Sequence, residues 1–143
     1  MEPFEQTIEV TEAHLDELQH VNNVQYLQWV QDIAGAHWQS LIAEKTEAFG
    51  LWVVRSHHIE YKRQAKLGDS LRVATHVELT AGFMSKRKVR FYLADSTTLV
   101  AQCSTKWCYL DPTTQKLLRI PEAIHRLFAW KVLSTILIQL EFI

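Results

Sequence analysis

Asn22-Asn23-Val24-Gln25-Tyr26-Leu27-Gln28-Trp29-Val30-Gln31-Asp32-Ile33-Ala34-Gly35-Ala36-His37-Trp38-Gln39-Ser40-Leu41-Ile42 is the stretch on which the fold turns. Within it Val24, Leu27, Val30, Ala34, Trp38, Leu41 and Ile42 recur every three or four residues and draw one apolar stripe along a helix. Asparagine suits a helix start, because its side-chain oxygen accepts an N–H that the first turn leaves unpaired. Asn22 or Asn23 takes that position. The helix frays near Thr46–Phe49, and Gly50 is its expected terminator.

Beyond Gly50 the apolar period shortens to two. Leu51–Arg63 reads as a strand rich in β-branched and aromatic residues. Leu71, Val73, Thr75, Val77 and Leu79 alternate with Arg72, Ala74, His76 and Glu78, the pattern of a half-buried strand. Val89, Phe91 and Leu93 alternate with Lys88, Arg90 and Tyr92, and Leu99–Leu110 is a fourth long strand. Ahead of the helix, Phe4, Ile8 and Val10 mark a first strand over residues 4–10, followed by a loop from Thr11 to about Asn22. Breaks fall at Lys66-Leu67-Gly68-Asp69, Ala81-Gly82, Asp95-Ser96-Thr97 and Asp111-Pro112-Thr113-Thr114. The third lacks the glycine of a tight hairpin, so a longer turn is expected there.

This order predicts an α+β protein, a long antiparallel sheet with one helix on it. No repeat or Gly/Ser linker interrupts the chain, so one domain over 1–143 is expected. One helix covers one face only. The other face or an edge then calls for a second copy.

The 143 residues are 48% hydrophobic and 22% charged, a balance that builds a core and excludes a disordered chain. Fifteen basic residues against 16 acidic ones leave a net charge of -1, so no global field recruits nucleic acid. Cys103 and Cys108 are too few for a disulfide scaffold and read as reduced thiols. The start, Met1-Glu2-Pro3-Phe4-Glu5, lacks the basic and apolar runs of a signal peptide, which favours the cytoplasm. Val132–Ile143 is apolar but short of the ~20 residues that span a membrane.

Gly-x-Ser-x-Gly, phosphate-loop, Gly-x-Gly-x-x-Gly and His-Glu-x-x-His motifs are absent. His57 and His58 are adjacent on a strand and point to opposite faces, so they cannot share an ion; neither metal nor cofactor is expected. The polar cluster is elsewhere. Asp16, His20, Asn22 and Asn23 gather just before the helix, whose first turn offers free N–H groups and a partial positive charge. Such groups hold the oxyanion that forms when a carbonyl is attacked, and Asp16 can activate water or attack the carbonyl itself. The same residues also read as an ordinary capped helix with a carboxylate near its dipole.

Asp16-x-x-x-His20-Val21-Asn22-Asn23-x-x-Tyr26-Leu27 resembles the signature of hot-dog-fold thioesterases of the 4-hydroxybenzoyl-CoA thioesterase-like family, Asp-x-x-Gly-His-Val-Asn-Asn-x-x-Tyr. The resemblance runs on through Ile59-Glu60-Tyr61-Lys62-Arg63, Leu67-Gly68-Asp69, Ser85-Lys86-Arg87-Lys88, Thr105-Lys106-Trp107 and Arg119-Ile120-Pro121, covering about residues 4–128. It implies a sheet wrapped around one central helix, and homodimers or homotetramers with sites at the dimer interface. It implies cofactor-free hydrolysis of acyl-CoA thioesters to a free acid and CoA, in fatty acid metabolism. Asp16 falls on the catalytic aspartate, His20 and Asn22 shape the loop, and N–H groups around Asn23 polarise the thioester carbonyl. Where the family has glycine before the histidine, this chain has Gln19, which reshapes the pocket if that position needs a positive φ. Residues 129–143 match nothing in the family and read as an apolar extension.

On a strand, Lys86, Lys88 and Arg90 share a face, and the resemblance sets them with Arg63 near the CoA phosphates. Tyr26 and Trp29, one turn into the helix, are the expected wall of the acyl pocket, ahead of Trp38, Phe49 and Trp52. Two other readings stay open: a thioesterase acting on acyl carrier protein, and a non-catalytic acyl-CoA-binding protein of the same fold.

Overall fold

The structure is a computed structural model that describes residues 3–129. The expected apolar extension therefore lies outside the described residues, apart from Ala129. Strand β1 (Phe4–Glu9) and a 3-10 turn (Glu12–His14) precede helix α1 (Asn23–Ile42). Strands β2 (Leu51–Tyr61), β3 (Ser70–Ala81), β4 (Met84–Leu93) and β5 (Leu99–Leu110) follow, and residues 122–129 are helical.

All five strands form one antiparallel sheet in the order β1-β3-β4-β5-β2. Two hairpins set the middle of it. Gly82 (φ 61°) turns β3 into β4 within two residues; the β4–β5 link is longer and carries Asp95 at φ 60°. Strand β2 does not pair with β3. It lies at the far edge against β5, so residues 62–69 must cross the molecule to reach β3. That crossing passes under the start of α1, where Val21 N–H donates to the Ala65 carbonyl at 2.8 Å and His20 bridges Lys66.

Helix α1 packs on one face of the sheet, with Val30, Leu71, Val73, Val89 and Phe91 fully buried between them. Each such side chain contributes about 1.5–3 kcal/mol through removal from water. The buried row of α1 is Tyr26, Trp29, Val30, Ile33 and Ala34, which shares Val30 and Ala34 with the expected stripe but leaves Val24 70% exposed. Both rows have helical spacing. The aromatic one wins because Tyr26 and Trp29 pack edge-on against each other, and Tyr26 also meets Phe91 edge-on, burying more area than Val24 and Leu27 offer.

Two further expectations are corrected. The ladder slips between Val77 and Leu79, so Leu79 turns outward and is exposed rather than joining Leu71 and Val73 in the core. Gly50 does not end the helix, which stops at Ile42. It admits β2 against β5: its N–H donates to the Tyr109 hydroxyl, and an added Cβ would strike the Leu110 carbonyl.

Candidate active site

The loop before α1 is tied by its own aspartate. Asp16 Oδ1 accepts the N–H of Leu18 at 2.9 Å and of His20 at 3.2 Å, and the Asp16 N–H donates to the His20 carbonyl at 2.8 Å. Leu15 bridges Val21 and closes the loop at its base. Between Asp16 and His20 the chain reverses through Gln19, at φ 64°. The position where the resemblance has glycine thus has a left-handed backbone here, with glutamine occupying it. Asp16 Oδ2 has no partner among the described residues.

Helix α1 then starts with its donors divided. Asn22 is the N-cap, its Oδ1 accepting the Val24 N–H at 3.0 Å, while the Asn22 carbonyl takes the Gln25 N–H at 2.9 Å. The Asn23 N–H has no acceptor among the described residues. The Tyr61 hydroxyl donates to the Asn23 carbonyl at 3.3 Å and holds the end of β2 against this turn.

One cavity of about 440 Å³ collects the pieces. Asp16, His20, Asn23, Tyr26 and Arg63 all line it. Asn22 does not, since its side chain is committed to the cap. Trp29 does not either: it is 6% exposed and packs in the core against His14, Tyr26 and Phe91. Lys86, Lys88 and Arg90 share a face as expected, but it is the outer face of β4; the inner positions Ser85, Arg87, Val89 and Phe91 are buried under the helix. Within one chain these three cations are apart from the cavity.

Sequence reasoning gave no role to Tyr61, Lys62 or Gln64, which also line it. The signal was present in Tyr61-Lys62-Arg63, since a motif on an edge strand next to the crossing segment has to meet the helix start. The Tyr26 phenol is buried without a hydrogen-bond partner among the described residues, and burial, with Tyr61 and Asp69 nearby, pushes its pKa up to about 12. Lys62 is held by Glu60 at 2.8 Å, whereas Arg63 has no carboxylate partner among the described residues. The cavity therefore brings together a carboxylate (Asp16), a residue of the helix start (Asn23) and a cation, Arg63, that has no ion-pair partner among the described residues. No group of three or more metal-ligating side chains is assembled among the described residues.

A profile of the thioesterase-like superfamily matches residues 10–128. The chain belongs to that superfamily. The long-chain acyl-CoA thioesterase FadM of Escherichia coli is 29% identical over 120 residues, 79% of this chain and 87% of that protein. Among solved structures, the probable thioesterase YbaW of E. coli superposes with a TM-score of 0.74 at 25% identity, over 86% of this chain and 94% of that one. A Staphylococcus aureus protein solved in complex with CoA reaches 0.79 at 18% identity, over 90% and 84%, a likeness of fold alone. The sheet wrapped around α1 is thus the hot-dog fold of these thioesterases.

Proposed function

We propose that the protein hydrolyses acyl-CoA thioesters, with Asp16 as the group that activates or attacks. The observation that carries this reading is that Asp16 and Asn23, whose N–H has no acceptor among the described residues, line the same cavity. As general base, Asp16 takes a proton from water while the water oxygen adds to the thioester carbonyl. The Asn23 N–H, at the positive end of α1, holds the oxyanion. Collapse expels the CoA thiolate, which recovers the proton from Asp16. As nucleophile, Asp16 would instead expel the thiolate directly and form a mixed anhydride that water opens. Label found in the Asp16 carboxylate after one turnover in ¹⁸O-water identifies the second route, with water opening the anhydride at the Asp16 carbonyl.

Tyr26 forms the wall nearest the reacting carbonyl, with Trp29 stiffening it from behind. Arg63 takes a phosphate of CoA. Lys86, Lys88 and Arg90 lie on the opposite side of the sheet, so the nucleotide they hold belongs to a thioester bound in the cavity of a second copy. A homodimer or homotetramer supplies that copy. Edge strand β2 favours it, with Leu51, Val53 and Tyr61 exposed on a strand whose outer edge has no partner among the described residues. The setting proposed is cytoplasmic fatty acid metabolism. Among the described residues no helix is long and apolar enough to cross a membrane.

Release of free thiol from short, medium, long and aromatic acyl-CoAs tests the activity, the long-chain arm being suggested by FadM. Faster release from acyl carrier protein at equal concentration would move the substrate to that carrier, and binding of CoA without any hydrolysis would leave only a binding protein.

A further inference from the structure

A second cavity, of about 510 Å³, lies along the C-terminal half of α1 and shares none of its described lining residues with the Asp16 cavity. Asn23 and Gly35, one in each lining, are about 18 Å apart along the helix at 1.5 Å per residue. Its walls are aromatic, from Trp38, Phe49, Trp52, Trp107 and Phe128. Trp38, Phe49 and Trp52 are the aromatic residues that rank behind Tyr26 and Trp29 as acyl-pocket wall in the sequence.

Arg87 breaks this apolar lining. It points inward from β4, is 4% exposed and lines the cavity. Its Nη1 donates to Thr75 Oγ1 at 3.1 Å and to His37 Nδ1 at 2.8 Å. Nη2 and Nε have no acceptor among the described residues, and no described carboxylate lies within ion-pair distance. Burial lowers its pKa to about 10, so the guanidinium is still charged at neutral pH. Arginine is rarely buried this deeply without an anionic partner.

The rest of the lining is rich in donors. The indole N–H groups of Trp52 and Trp107 are buried without acceptors among the described residues. The single acidic residue in the described lining is Glu47, which is exposed and unpaired with Arg87. A fixed cation in an aromatic cavity attracts an anion with an apolar body, and Glu47 disfavours a second negative charge.

We propose that this cavity is a separate binding site for a monocarboxylate with a medium-length aliphatic or an aromatic body. The carboxylate meets Arg87, and the body packs against Trp38, Phe49, Trp52 and Phe128. The site stands on these contacts and not on the thioesterase reading.

Intrinsic tryptophan fluorescence reads it, because Trp38, Trp52 and Trp107 line the cavity. Full-length protein is titrated with decanoate and with decanol. Decanoate gives a saturable change, and decanol binds at least about tenfold more weakly, the loss expected for one charge-assisted contact. Arg87→Met lowers decanoate affinity by a similar factor without altering decanol, and Arg87→Lys restores part of it. Saturating CoA and the Asp16→Asn variant leave decanoate affinity unchanged. Equal affinity for acid and alcohol in the wild-type protein overturns the proposal whatever the variants do. So does an absence of saturable change, or displacement by CoA with Arg87→Met unaffected, which would put the acid in the Asp16 cavity. Thiol release in the same preparation reports separately on the hydrolase.

Discussion

Asp16 Oδ1 accepts the backbone N–H of His20 at 3.2 Å, across a reversal whose residue Gln19 stands at φ 64°. A side chain with a Cβ in that left-handed region costs about 1–2 kcal/mol, and glycine does not carry that cost. Gln19→Gly should therefore leave stability unchanged or raise it by up to about 1 kcal/mol, since glycine's extra freedom when unfolded offsets part of the relief. Gln19→Val should lower it by about 1–2 kcal/mol, because β-branching disfavours positive φ further. Urea midpoints of the three proteins check the order Gly, Gln, Val.

The Asn22 cap makes a second prediction. Its Oδ1 satisfies the Val24 N–H, and Asn22→Ala leaves that donor without its side-chain acceptor. The expected loss is about 1 kcal/mol by chemical denaturation, with Asn22→Asp close to wild type. An alanine variant as stable as the parent would remove the cap from the account of why α1 starts where it does.

Gly50 is needed for space. An added Cβ would strike the Leu110 carbonyl and come within 2.9 Å of the Tyr109 ring. Gly50→Ala should destabilise by about 1–3 kcal/mol, the usual range for a contact the backbone must move to accept. Gly35 is the control: its Cβ meets nothing within 4 Å, so Gly35→Ala in mid-helix should stabilise. Paired thermal melts decide it.

Stability should depend on pH through His57. Burial holds its imidazole below the ordinary 6.5, with Nδ1 against Thr105 Oγ1 at 2.8 Å. The unfolded chain takes up a proton as pH falls through 6.5, and the folded one does so only lower. The contribution is complete above 6.5 and is lost as pH falls through the folded value. His76 is shifted the same way, burial being the first cause. Melting temperature should drop from pH 7 to about pH 5, and His57→Gln should flatten part of that slope. An identical slope in the variant would exclude His57 as a source.

Much of the fold was legible where side-chain period and burial agree. Leu99–Leu110 is found with the ends read from sequence, and Asn22 caps α1 as its chemistry suggests. Period does not say which of two apolar rows meets the sheet, so it favours Val24 as buried and leaves out Ile33, which is 1% exposed. It does not see a bulge, which sent Leu79 outward. Nor does it order strands: β2 at the far edge follows from pairing with β5, and that placement brings Tyr61 to the helix start. At the site, the motif located Asp16, His20, Asn23, Tyr26 and Arg63, which one cavity unites. For Lys86, Lys88 and Arg90, alternation established a shared face without saying which one.

The central claim is that Asp16 carries the chemistry, and thiol release by Asp16→Asn tests it most directly. Asparagine keeps the oxygen that ties Leu18 and His20, so circular dichroism and melting should match wild type. Removing a base or nucleophile should lower kcat by about 10²–10⁴-fold on whichever acyl-CoA the wild-type protein hydrolyses best. A folded Asp16→Asn protein that releases thiol at the wild-type rate would contradict the account.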